Sequence, residues 1–88
     1  MKRIYKYEIP IQDFFSLEIP GGAIFLTVDT QRDKPYLWVL IDPDSQLEFY
    51  NFRLTGTGHD IFQEQIEYIG TVKMRNDNLI FHLFRMLN

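Results

Sequence analysis

In several short stretches of this 88-residue chain apolar and polar residues alternate, and clusters of Pro, Gly, Asn and Asp separate the stretches about every ten residues. Strict alternation puts successive side chains on opposite faces of a strand, one dry and one wet, whereas a helix repeats its apolar positions about every three or four residues. Residues 3–9 place Tyr5, Tyr7 and Ile9 on one face and Lys6 and Glu8 on the other, with Ile4 on the polar side. Pro10 removes a backbone donor and ends that strand or confines it to an edge. In residues 14–19, Phe15, Leu17 and Ile19 alternate with Ser16 and Glu18, and the Pro20-Gly21-Gly22 that follows suits a type II turn. Ile24, Leu26 and Val28 then alternate with Phe25, Thr27 and Asp29, and the polar run 31–34 reads as a hairpin loop.

The run Tyr-Leu-Trp-Val-Leu-Ile at 36–41 is apolar on both faces and reads as a central strand covered on both sides. Asp42-Pro43-Asp44-Ser45 supplies turn chemistry. In the strand at 47–54, Phe49 and Phe52 lie three apart, so sharing a face would need a β-bulge near Tyr50-Asn51. Asp60 is placed to cap a single helical turn through Ile61-Phe62-Gln63. Residues 66–74 resume alternation, with Ile66, Tyr68, Val72 and Met74 on one face. Arg75-Asn76-Asp77-Asn78 is a turn, and residues 79–86 close the series. The expectation is an all-β fold: one domain over residues 1–88, a small antiparallel sandwich or partly open barrel of about seven strands, with at most one short helical turn near residues 60–65.

Composition narrows the function classes. With 45% hydrophobic and 24% charged residues, the chain can bury a small core and is not a disordered tail. No apolar run approaches the ~20 residues of a membrane-spanning helix. The absence of cysteine excludes a disulfide scaffold, a thiolate nucleophile and a cysteine zinc site. A net charge of −3 is opposite to what a phosphate backbone attracts, so no nucleic-acid polymer is expected as a partner, although a local basic pocket remains compatible with it. The charged start, Met-Lys-Arg-Ile-Tyr-Lys, lacks the apolar stretch of a signal peptide, so export is not expected.

Five segments carry a family resemblance: Lys-Tyr-Glu-Ile-Pro at 6–10, Leu-Trp-Val-Leu-Ile-Asp-Pro-Asp at 37–44, Gly-Thr-Gly-His at 56–59, Tyr-Ile-Gly-Thr at 68–71 and Phe-His-Leu-Phe at 81–84. In this order and spacing the chain resembles a family of short proteins encoded mainly by tailed bacteriophages and prophages. It departs from that pattern at Phe14-Phe15 and between His59 and Tyr68. The resemblance implies a viral gene expressed in the cytoplasm of a bacterial host. It implies no activity.

Candidate chemistry concentrates in residues 53–59. Gly56 and Gly58, two apart, can turn backbone N–H groups toward an anion, and Thr55, Thr57 and His59 can add donors. The competing reading is a glycine-rich corner held by His59 and Asp60, because the third glycine of a dinucleotide fingerprint and the lysine of a P-loop are both missing. His59 and His82 lack metal-ligand spacing, and no metal or cofactor is expected. The carboxylate pairs Asp42/Asp44 and Glu64/Glu67 come without a nucleophile, a base and an orienting group, so no enzyme is expected. Core packing explains most of the fourteen aromatic residues, one Trp, five Tyr and eight Phe, but the third to fifth strands carry apolar residues on both faces, more than so small a sandwich covers. Some of Tyr36, Trp38, Tyr50 and Phe52 should therefore form an exposed patch, covered by homo-oligomerisation. The leading expectation is a non-enzymatic binding protein that inhibits or sequesters a host component. In its sharper form it is a sponge for a nucleotide signal, held at a subunit interface by residues 55–59 and Arg53, with bases stacked on Tyr36 or Trp38. The alternatives are an inhibitor of a host protein and a virion accessory module.

Overall fold

The computed structural model describes residues 1–87 and contains, among them, seven strands and no helix. The strands are β1 (Arg3–Glu8), β2 (Phe14–Pro20), β3 (Ile24–Gln31), β4 (Lys34–Ile41), β5 (Leu47–Gly56), β6 (Ile66–Met74) and β7 (Leu79–Met86). They form a three-stranded sheet of order β1-β4-β3 and a four-stranded sheet of order β2-β5-β7-β6. Every neighbouring pair is antiparallel, so the molecule is the small all-β sandwich that the alternation predicts.

The core lies between the sheets. Leu37, Val39 and Ile41 of β4 face Ile19, Phe52, Val72 and Leu83 of the other sheet, and each is 1% exposed or less. At the centre Phe52 stacks on Phe15, with ring centroids 5.2 Å apart, and Phe25 meets the rings of Phe52 and Tyr50 edge-on at 5.4 and 5.3 Å. Such pairs add to the transfer energy of burying the rings. At the core margin, burial first and the neighbouring Tyr5 phenol second push the Tyr7 hydroxyl pKa above its ordinary value.

The turns follow the residue chemistry. Arg32 and Asp33 both take left-handed backbone conformations (φ 54° and 60°) in the tight loop between β3 and β4, the pattern of a type I′ hairpin. Arg75, Asn76 and Asp77 are left-handed as well, and Asn78 N–H closes their loop on the Arg75 carbonyl at 3.0 Å. The two hairpin tips are tied together: Arg75 N–H donates to Asp33 Oδ1 at 2.7 Å. Asp33→Ala removes this acceptor and is expected to lower unfolding free energy by about 1 kcal/mol, with Asp33→Asn close to neutral. Urea denaturation of both variants checks it, and an Asp33→Ala variant as stable as the native chain would show that the tie contributes nothing.

Five expectations are corrected. The alternation of β3 and β6 is interrupted by β-bulges, where the ladder slips between Phe25 and Thr27 and between Tyr68 and Gly70. Phe25 and Val28 therefore share the inner face while Leu26 is 45% exposed, and Tyr68 lies outside while Val72 and Met74 pack inward. Conversely, β5 has no bulge, since its register against β2 and β7 is unbroken from Leu47 to Gly56. Phe49 simply points to solvent, and Tyr50 and Phe52 are buried rather than part of an exposed patch. Strand β4 is dry on one side only: Tyr36, Trp38 and Leu40 stay half-buried on the outer face. Finally, residues 59–63 carry no regular structure and residues 64–65 form a bend, in place of a helical turn.

Candidate functional site

The residues singled out by sequence divide between the two outer faces of the sandwich. Tyr36 and Trp38 alternate with the buried Pro35, Leu37 and Val39 of β4 and lie on the outside of the three-stranded sheet. Arg53 alternates with the buried Phe52 and Leu54 of β5 and lies on the outside of the other sheet, in register with Phe84. Thr55 follows on that side and is itself 3% exposed. One chain therefore cannot bring Arg53 and the two aromatic residues to a single ligand.

The geometry of residues 55–59 favours the corner reading over an anion cradle. Thr57 and Gly58 form the turn, Gly58 with φ 85°, and His59 N–H is spent on the Gly56 carbonyl at 3.2 Å. The His59 ring folds back so closely that a Cβ on Gly56 would lie 2.9 Å from its Cε1 atom. The adjoining recess, about 430 Å³, is lined by Ile11, Asp13, Leu54 and Phe81 and includes a carboxylate but no cation. Arg53 is also partly engaged, through Nη1, while its buried Nε has no hydrogen-bond partner among the described residues. Its Nη1 donates to the Leu54 and Asp13 carbonyls at 2.9 and 3.2 Å, and its guanidinium lies 4.7 Å from the Phe14 ring centre. These contacts brace the β1–β2 connection against β5.

Thr57 does make a side-chain contact across the sheet. Its hydroxyl lies 2.6 Å from His82 Nε2, and His82 Nδ1 lies within 3.1 Å of the Tyr68 hydroxyl and 3.3 Å of Thr71 Oγ1. The Tyr68 and Thr71 hydroxyls also meet each other. Both ring nitrogens thus have hydroxyl partners, and no carboxylate orients the imidazole as it would beside a catalytic nucleophile. Among the described residues no three His, Asp or Glu side chains gather where they would hold a metal ion.

A cationic recess forms instead on the outer face of the three-stranded sheet. Lys6 of β1, Arg32 of the hairpin tip and Lys34 of β4 line a hollow of about 270 Å³ together with Gln31 and Tyr36. The β1–β4 register places Lys6 opposite Trp38. The Lys6 ammonium donates to Gln31 Oε1 at 2.7 Å and sits 4.6 Å from the Tyr36 ring centre and 5.5 Å from that of Trp38. Two carboxylates flank Tyr36 on the neighbouring strands: Glu8 accepts from the Tyr36 hydroxyl at 3.5 Å, and Asp29 accepts from Thr30 N–H at 2.7 Å, while Asp33 at the hairpin tip accepts from Arg75 N–H. Sequence reasoning found Tyr36 but missed the three cations. The signal was there in Lys6, on the outward face of a strand, and in the basic residues flanking the turn at 32–34. Their convergence depends on pairing β1 with β4, which no local pattern encodes.

No helix among the described residues is long and apolar enough to cross a membrane. No curated protein and no solved structure matches the chain. One family model does, over residues 1–88, and the chain belongs to the family it describes, Domain of unknown function (DUF7352).

Proposed function

We propose that this protein is a non-enzymatic binding protein that sequesters a small phosphate-bearing ligand, a nucleotide of a bacterial host, in the recess of Lys6, Arg32, Lys34 and Tyr36. The observation that carries the reading is the convergence of three cations beside an aromatic ring, with no carboxylate in the lining, in a chain whose net charge is −3. Phosphate oxygens accept from the planar Arg32 fork and from the two ammonium groups. In the free protein Lys6 covers the Tyr36 and Trp38 rings. Binding moves its ammonium onto phosphate, exchanging a cation–π contact of about 0.5–1 kcal/mol for an ion pair and freeing the rings to stack on a base. The bacteriophage resemblance makes counter-defence the setting in which such sequestration is useful.

Calorimetric titration with mono-, di- and cyclic nucleotides tests the proposal. Saturable binding that weakens with added salt is expected, and Arg32→Glu combined with Lys34→Glu should reduce affinity about tenfold or more. Both positions are exposed, so the thermal midpoint should hold. Absence of binding across the panel overturns the reading.

A second copy enters this reading for a specific reason: Tyr36 and Trp38 lie on the opposite face from Arg53 and Thr57, so a pocket using both sets forms only between subunits. Native mass spectrometry distinguishes the two forms. A ligand carried by a monomer assigns the site to the recess alone, and a ligand found only on a dimer assigns it to the interface. A host protein captured in fixed ratio without any nucleotide affinity would favour protein inhibition instead.

A further inference from the structure

Arg85 lies on the inner side of β7, following Leu83, in register with the buried Phe52 on one side and Glu67 on the other. A charged side chain on the core face of a strand needs partners, and this one has few. Its guanidinium stacks 5.4 Å from the Phe25 ring centre and 5.1 Å from that of Tyr50. Its ion pair among the described residues is a loose one, 3.9 Å to Glu67 Oε1, and Glu67 is 60% exposed. Stacking covers the faces of the guanidinium, and with the side chain 33% exposed its N–H edge reaches solvent.

Those donors border a recess of about 340 Å³ lined by Ile24, Phe25, Glu67, Tyr68, Ile69 and Arg85. The recess stands where the two β-bulges meet, beside Phe25–Thr27 of β3 and Tyr68–Gly70 of β6. Bulges bend a strand and re-aim its side chains, and they recur beside binding sites. The hollow is at the far end of β3 from Gln31 and thus separate from the cationic recess.

We infer that this second recess binds a carboxylate carried on an apolar group, free or as the C-terminus of a peptide. The carboxylate accepts two parallel N–H bonds from Arg85, and the apolar body lies against Ile24, Phe25 and Ile69. A single guanidinium matches a monoanion. Glu67 at the rim repels any anion, a phosphate dianion about twice as strongly as a monoanion, and phosphate also gains nothing from apolar walls.

The test is titration of the isotopically labelled protein, followed by amide chemical shifts, with N-acetyl-L-phenylalanine, its C-terminal amide, a tetrapeptide ending in a free phenylalanine carboxylate, and inorganic phosphate. Saturable shifts at Tyr68 and Ile69 are expected with the two acids and not with the amide or phosphate. A tetrapeptide that binds tighter than the acetylated amino acid assigns the ligand to a chain terminus, and equal affinities assign it to a free acid. Arg85→Lys keeps the charge but loses the fork and should weaken binding about tenfold, whereas Glu67→Gln should tighten it a few-fold. Because Glu67 is 60% exposed and its pair with Arg85 is loose, Glu67→Gln stays informative if Arg85 variants fail to fold. Equal binding of acid and amide, or no shift with either acid, overturns the inference.

Discussion

Phe52→Ala is expected to remove about 3–5 kcal/mol of unfolding free energy, while Phe49→Ala, three positions earlier on the same strand, removes less than about 0.5 kcal/mol. Phe52 is fully buried, stacked on Phe15 and met edge-on by Phe25, whereas Phe49 is 72% exposed. Truncating the first leaves a cavity that rings from both sheets line and cannot collapse to fill. A domain of this length holds only on the order of 4–13 kcal/mol, at about 0.05–0.15 kcal/mol per residue, so one substitution consumes much of its stability. Urea titration followed by Trp38 fluorescence measures both variants. Similar losses at the two positions would mean that the strand is bulged after all and both rings face inward.

The second large effect is at the seam between the sheets. Gly70→Val is expected to cost about 1–3 kcal/mol or more, because a Cβ there falls 2.9 Å from Val28 Cγ1. Crowding, not an unusual φ, is what keeps this position small. Strands β3 and β6 approach each other here, and the missing side chain lets them do so. If that is right, Val28→Ala should be milder in the Gly70→Ala background than in the native chain, since the shortened side chain vacates the space the new methyl needs. Additive losses in the four-variant cycle would refute the close approach as the cause.

What could be read from the residues and what could not divide along a physical line. Period-two patterning in β2, the short apolar run of β4, and turn chemistry at Pro20-Gly21-Gly22 and Arg75-Asn76-Asp77-Asn78 are local properties, and they located strands and corners. A bulge is decided by the partner strand. Leu26 and Ile69 are ordinary strand residues that happen to face no counterpart, and nothing in their own neighbourhood announces it. The slip suspected at Phe49 and Phe52 rested on the assumption that every phenylalanine seeks the core, yet much apolar surface stays in water in any small protein. For the sites, residues 55–59 drew attention through glycine content, although the His59 N–H is spent on the Gly56 carbonyl and the Thr57 hydroxyl on His82. Lys6, Arg32 and Lys34 looked like scattered charges until the β1–β4 register gathered them. Arg85 was the more legible clue: an arginine in step with Phe81 and Leu83 breaks an otherwise apolar face.

The strand order has a consequence for how the chain is made. β1 pairs only with β4, and β2 only with β5, so the two earliest strands wait for sequence synthesised much later. At about 5–20 residues per second, the polypeptide leaving a ribosome carries unmatched amide rows for some seconds, a window in which neighbouring nascent chains compete for them. Lys2, Arg3 and Lys6 put positive charge on and beside β1, and Pro20 ends β2, residue types that make pairing between separate chains costly.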